Sequence, residues 1–214
     1  MNTRPLLLGH RGALKYAPEN SIAGFDLAME HHCDGFEFDV RYTREGRCVI
    51  CHNPLYQGRR INRRLFGELN LPCAEDVIRR YAPRAYLDLE LKVAGHASPI
   101  LKALEPLARD RYIVSSFLPA VLHAVAALDS RCPLALICEN SRHLKRWSSL
   151  PIRAVMIHFS LVHQSLLGEL HCADKQVFVW TVNREREMRR LAELGIDGLI
   201  SDDTKLLADT LKRN

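Results

Sequence analysis

The hydrophobic pattern of this chain switches repeatedly between a period of two and one near 3.6 residues. Pro5 to His10 reads as a first apolar strand. Ser21 to His31 has helical spacing, with Asn20 or Ser21 as cap and Ile22, Phe25 and Met29 on one face. Gly35 to Tyr42 alternates strictly, and Arg47 to His52 forms a short companion strand after a Glu45-Gly46 turn. Residues 53–71 are rich in Asn, Gly and Arg and read as a loop. Ala74 to Tyr81 is a helix and Tyr86 to Lys92 the third principal strand. Further strands fall near Tyr112–Ser116, Leu134–Cys138, Ala154–His158, Val177–Val182 and Gly198–Ser201, with helical stretches between and after them.

Such βα alternation predicts a parallel sheet with helices outside it. Eight strand–helix units, with the Cys48 strand as an excursion, make a (β/α)₈ barrel the expected fold of this α/β chain. A doubly wound open sheet is the alternative, but no G-x-G-x-x-G follows the first strand. No Pro/Gly/Ser linker breaks the chain, so residues 1–214 are expected to form one domain with a short insertion at 53–71.

Within Phe36-Glu37-Phe38-Asp39-Val40 the two acids share one face, and Phe36, Phe38 and Val40 share the other. Carboxylates on the inner face of a barrel strand must be paired, hydrogen-bonded or bound to a metal. Leu87-Asp88-Leu89-Glu90-Leu91-Lys92 repeats the alternation, with Asp88, Glu90 and Lys92 on one face. Polar residues gather at the other carboxyl-terminal strand ends too, where barrels of this kind carry their chemistry. Glu37, Asp39 and Glu90 form a hard-oxygen set suited to Mg²⁺, Ca²⁺ or Mn²⁺ rather than zinc. The competing reading is a structural ion-pair cluster neutralised by Arg11 and Lys92. Asp88, one step deeper, reads as structural. His10 and His52 are the candidate acid/base pair, since imidazole titrates near neutrality. His158 and Trp180 end strands where they would line a pocket, whereas His31 and His32 are expected in solvent.

Composition narrows the partners. A net charge of +5 is mild, and the arginines are dispersed; Arg184, Arg186, Arg189 and Arg190 interleave with acids on a solvated helix face. No basic stripe with aromatics marks a nucleic-acid site, so a small anionic substrate is the better use of the field. Met1 to Leu8 is too short for a signal peptide, and no apolar run is long enough to span a bilayer. Seven scattered cysteines without a C-x-x-C pair suggest reduced thiols and a cytoplasmic protein; Cys51, although beside His52, reads as packing. Composition leaves the oligomeric state open.

The series His10-Arg11-Gly12, Pro18-Glu19-Asn20-Ser21, Glu37-x-Asp39-Val40, His52, Glu90-Leu91-Lys92, Trp180-Thr181-Val182-Asn183 and Ser201-Asp202 resembles the glycerophosphodiester phosphodiesterase family. The resemblance runs in order from Leu8 nearly to the C-terminus. It implies a TIM-type barrel that uses a divalent cation to split glycerophosphodiesters into glycerol 3-phosphate and an alcohol. By position it implies His10 and His52 as catalytic histidines and Glu37, Asp39 and Glu90 as metal ligands. Arg11 and Lys92 would contact phosphate, and Trp180 the substrate. The attacking group it implies is the glycerol 2-hydroxyl, through a cyclic phosphate that water opens. The chain departs from the family pattern at Asn53, where Asp is usual, at Thr204, where Pro is common, and in the absence of an Arg-Thr-Thr-type stretch within a short insertion. That insertion leaves open a phospholipase D-like action on lysolipids or other phosphodiesters. From the residues alone, a metal-dependent aldolase or enolising barrel using Lys92 also fits, as does a barrel that only binds a phosphorylated ligand.

Overall fold

A computed structural model of the chain describes residues 4–211. Strands β1 (Leu6–Gly9) and β2 (Gly35–Tyr42) are followed by β3 (Cys48–Ile50), β4 (Leu55–Tyr56) and β5 (Arg59–Arg60). Then come β6 (Tyr86–Leu91), β7 (Tyr112–Ser116), β8 (Leu134–Cys138), β9 (Ala154–His158), β10 (Gln176–Trp180) and β11 (Gly198–Ser201). The helices are α1 (Ile22–Glu30), α2 (Ala74–Tyr81), α3 (Ala97–Leu104), α4 (Pro119–Leu128), α5 (Ser141–Leu144), α6 (Gln164–Cys172), α7 (Glu185–Glu193) and α8 (Thr204–Thr210).

Strands β1, β2 and β6 to β11 pair in parallel around a ring that β1 closes by pairing with both β2 and β11. This is the expected closed (β/α)₈ barrel. Among the described strands only β3 joins that sheet antiparallel, pairing Val40 with Ile50 at the end of β2.

The alternation in β2 does what its period requires. Phe36, Phe38 and Val40 point outward into the helix layer and are fully buried. Phe25 of α1 stacks on Phe36 at 4.3 Å, and Tyr81 of α2 meets Phe36 edge-on at 5.0 Å. Truncating such an aromatic to alanine costs about 3–5 kcal/mol. Inside the barrel, Leu8, Tyr86, Ile113, Met156, Phe178 and Ile200 form a separate apolar plug. It fills the barrel interior, so the polar residues above it sit on an apolar floor. Gly35 is needed where β2 and β6 start, because a Cβ there would lie 1.8 Å from the Tyr86 carbonyl oxygen.

The 53–71 segment is more ordered than its loop-like composition suggests. Strands β4 and β5 form a hairpin around Gln57 and Gly58, both with positive φ (51° and 75°), as a type I′ turn requires. Two 3₁₀ turns follow, at Ile61–Arg63 and Phe66–Glu68. Ile61 and Leu69 pack on Val49. Elements of two or three residues are too short to show a period, which is why the composition reads as loop.

His31 also departs from expectation. Its Nδ1 lies 2.7 Å from Thr204 Oγ1 and its ring meets Tyr16 edge-on at 5.1 Å, so it ties α1 to α8 and the first loop. His32 is exposed, as expected. All seven cysteines are free thiols, and no described helix is long and apolar enough to cross a membrane.

Candidate active site

Register builds the acidic floor. Strands β2 and β6 place Glu37 opposite Asp88 and Asp39 opposite Glu90, so the inward faces of two neighbouring strands bring four carboxyl groups together. Glu37, Asp39 and Glu90 are only 5 %, 0 % and 7 % exposed, and each offers an oxygen within 4.8 Å of the others. Lys92, one residue beyond β6, sends its ammonium to 2.7 Å from Asp39 Oδ1 and 2.6 Å from Glu90 Oε1. Arg11 adds a second cation: its backbone N–H donates to Glu37 Oε2 at 2.9 Å, and its Nε lies 3.4 Å from Asp39 Oδ2. Glu19 holds the outer edge of that guanidinium at 2.5 Å.

Burial sets the titration of this cluster. It pushes the Glu37 carboxyl well above the ordinary range, and the charges of Asp39 and Glu90 push the same way. It raises Glu90 to about 7, against the pull of Lys92. For Asp39 burial acts in the same direction, but Lys92, Asn20 and Arg11 overcome it and hold this carboxylate below its usual value. Asp88 is pushed up to about 8 by burial and accepts a hydrogen bond from the Ser115 hydroxyl at 2.6 Å. That bond fits the structural role expected for Asp88.

Two of the three buried carboxyls resist ionisation, and a further positive charge would favour their ionised forms. Glu37 Oε1 is buried with no hydrogen-bond partner. Such a hard-oxygen set fits a divalent cation of the Mg²⁺ or Ca²⁺ kind, with Glu37, Asp39 and Glu90 as the residues able to hold it.

The histidines are positioned separately. His10 Nδ1 lies 2.7 Å from Asp202 Oδ1, and Asp202 Oδ2 accepts from Asn183 Nδ2 at 2.6 Å. Asn183 Oδ1 in turn receives the Ser201 hydroxyl and the Asp202 N–H, both at 2.9 Å. The ends of β10 and β11 thus form a bracket behind His10. Burial works against the Asp202 charge, but the bonds from His10 and Asn183 keep it ionised, so Nδ1 of His10 carries a proton. His52 has a thinner support: Nδ1 is 3.2 Å from Asn53 Oδ1, and burial lowers the imidazole pKa. Its carbonyl accepts two bonds from Arg41, at 2.9 and 2.6 Å.

His10, Arg11, Glu37, His52, Glu90, Lys92 and Trp180 line one cavity of about 230 Å³, with Asp88 at its floor. Trp180 donates Nε1–H to the Met156 carbonyl at 3.1 Å and meets Phe117 at right angles, 5.7 Å away. His158 does not line this cavity; it stands behind Trp180, edge-on at 5.4 Å. Cys51 is half-buried and its thiol is pushed up by burial, which suits packing rather than nucleophilic attack.

Sequence reasoning missed the supporting residues. Of the two candidate caps, Ser21 caps α1, and Asn20 instead binds Asp39. Asp202, Asn183 and Arg41 act through neighbours brought close only by barrel closure. Phe117 and Glu139 complete the cavity wall and carried no motif.

A closed parallel barrel with acids, histidines and cations at its carboxyl-terminal mouth has the architecture of a TIM-barrel enzyme. Residues 10–65 and 74–206 match the model of the glycerophosphoryl diester phosphodiesterase family, and the chain belongs to that family. It is 26% identical to a glycerophosphodiester phosphodiesterase of Caldanaerobacter subterraneus subsp. tengcongensis, over 98% of this chain and 99% of that one. It is 27% identical to a putative glycerophosphodiester phosphodiesterase of Bacillus subtilis, over 92% of this chain and 93% of that one. Among solved folds, a putative glycerophosphoryl diester phosphodiesterase from Silicibacter pomeroyi superposes with a TM-score of 0.88 at 22% identity, covering 99% of this chain and 94% of that one. An Oleispira antarctica phosphodiesterase in complex with the product sn-glycerol-3-phosphate superposes at 0.86 with 22% identity, covering 98% of each chain.

Proposed function

We propose that this chain hydrolyses glycerophosphodiesters to glycerol 3-phosphate and an alcohol, with a divalent cation held by Glu37, Asp39 and Glu90. The observation that carries the reading is one cavity lined by two histidines, two cations and Glu37 and Glu90, whose carboxyls cluster with that of buried Asp39. Mg²⁺ and Ca²⁺ suit the donor set best, and Mn²⁺ is compatible with it. When bound, the cation supplies Lewis-acid polarisation of a phosphoryl oxygen and stabilises charge at phosphorus. Arg11 and Lys92 add fixed positive charge beside the phosphate oxygens in a water-poor site. Trp180 offers an apolar wall for the carbon skeleton of the substrate.

His52, which burial keeps neutral at pH 7, is suited to take the proton of the attacking hydroxyl. His10, its Nδ1 proton anchored on Asp202, is oriented to give a proton from Nε2 to the leaving alkoxide. Such paired proton transfers contribute about 10²–10⁴-fold each. Residues 1–214 act in this reading as a single catalytic domain in the cytoplasm.

A second reading has its own observation. Tyr16, Leu55, Val93, Leu118 and Phe159 are exposed on segments that follow the carboxyl-terminal ends of barrel strands. An apolar rim there favours a phospholipase D-like action on lysolipids, whose acyl chain would lie along it.

Release of glycerol 3-phosphate from glycerophosphocholine and glycerophosphoethanolamine tests the first reading, and release of choline with lysophosphatidic acid from lysophosphatidylcholine tests the second. His10→Ala and His52→Ala are expected to lose turnover while still binding the cation. Absence of turnover on these and on bis-aryl phosphodiesters, with any of the three metals, would overturn the assignment.

A further inference from the structure

A second hollow, of about 360 Å³, lies beside the catalytic cavity. It is bounded by the end of β2, the 53–71 excursion and the loop after β6. Arg41, Arg44, Arg60 and His96 line it, together with the polar side chains of Thr43 and Asn62; no carboxylate does. The two spaces share a wall. Arg41 holds the His52 carbonyl from the hollow's side, and Pro54 and Val93, two residues past His52 and one past Lys92, belong to its lining.

The arginines here make no direct ion pair. None of Arg41, Arg44 and Arg60 has an ion pair among the described residues, whereas Arg11, Arg80 and Arg190, for example, each pair with an acid. Nearby acids are engaged elsewhere: Glu45 accepts the Phe66 N–H at 2.9 Å, and Glu68 pairs with Arg64 at 3.5 Å. Arg41 is half-buried, and its side-chain hydrogen bonds go to a backbone carbonyl, that of His52. On a convex surface, unpaired arginines are simply solvated. In a concavity next to a phosphodiester site, guanidinium groups present a fork geometry suited to carboxylate and phosphate.

We propose that this hollow is a subsite for a second anionic group of the substrate. The preferred substrates are then glycerophosphodiesters that carry a further phosphate or carboxylate on the half extending past His52. The proposal rests on the phosphodiesterase reading. It also gives the 53–71 excursion a task, since Arg60 lies on its hairpin.

A matched pair of substrates tests it: glycerophosphoglycerol, with one phosphodiester, and bis(glycerophospho)glycerol, whose central glycerol carries a second. The native protein is expected to show a kcat/KM about tenfold or more in favour of the second, a difference that shrinks as salt screens the field. In the double variant Arg44→Glu/Arg60→Glu the ratio is expected to fall to about one or below. Arg60→Glu alone, on an exposed two-residue strand, is the second variant and should lose part of the preference. Equal kcat/KM on the two substrates, a preference for glycerophosphocholine, or a ratio unmoved by the substitutions would overturn the subsite and leave the phosphodiesterase reading standing. No turnover of any of these substrates would overturn both.

Discussion

Asn20 grips Asp39 from two directions: its Nδ2 donates to Asp39 Oδ2 at 2.8 Å, and its Oδ1 accepts the Asp39 backbone N–H at 3.1 Å. The contact spans the first loop and the second barrel strand, and it orients the one acid of the triad that stays readily ionised. Second-layer contacts of this kind change metal affinity by about 10–100-fold. Asn20→Ala is therefore expected to weaken cation binding by that order, as read by calorimetric titration, while the circular dichroism spectrum stays native. Unchanged affinity would show that Asp39 is oriented without Asn20.

The His10–Asp202 contact at 2.7 Å predicts a different signature. Asp202→Asn removes the charge that holds Nδ1 protonated, and Asn can present its amide to that nitrogen and favour the wrong tautomer. A fall in kcat of about 10²-fold or more is expected, with cation affinity unchanged. A variant with near-native kcat would remove His10 from the proton transfer.

Asn53 follows His52 directly, and its side-chain oxygen lies 3.2 Å from His52 Nδ1. Asn53→Asp places a carboxylate beside an imidazole whose pKa burial now lowers. The His52 titration midpoint, followed by NMR, is expected to rise by about one unit or more. A static midpoint would mean that the Asn53 contact does not act on the ring.

The acidic triad links cation binding to stability and pH. Burial raises Glu37 and Glu90 above their unfolded values, Glu90 to about 7. Without metal, the folded state then holds more protons than the unfolded chain from about pH 4.3 upward, so the stability from these groups is lost as pH rises through their folded pKa values. A cation takes the place of those protons. The increase in Tm on adding saturating Ca²⁺ or Mg²⁺ should therefore be larger at about pH 8 than at about pH 5.5. An equal or smaller increase at the higher pH would contradict cation binding at these carboxyls.

The barrel was legible in the sequence because short apolar or alternating runs recur between helical stretches, and the predicted ranges for β7, β8, β9 and β11 coincide with those found. Glu37, Asp39, Glu90 and Lys92 were legible for the same reason: alternation fixes which face a side chain takes. What periodicity cannot show is which distant segments meet. Asn20 with Asp39 and Asp202 with His10 are contacts across 19 and 192 residues, made only when the ring closes. Arg41 was hidden otherwise: it sits on β2 beyond the acidic pair and touches a backbone carbonyl, which leaves no trace in composition.

The most direct measurement is glycerol 3-phosphate release from glycerophosphocholine by protein stripped with EDTA and then titrated with Mg²⁺, Ca²⁺ or Mn²⁺. The stripped protein should be inactive, and activity should return with one of these cations, saturating at one ion per chain. Full turnover in EDTA would contradict a metal-assisted site at Glu37, Asp39 and Glu90.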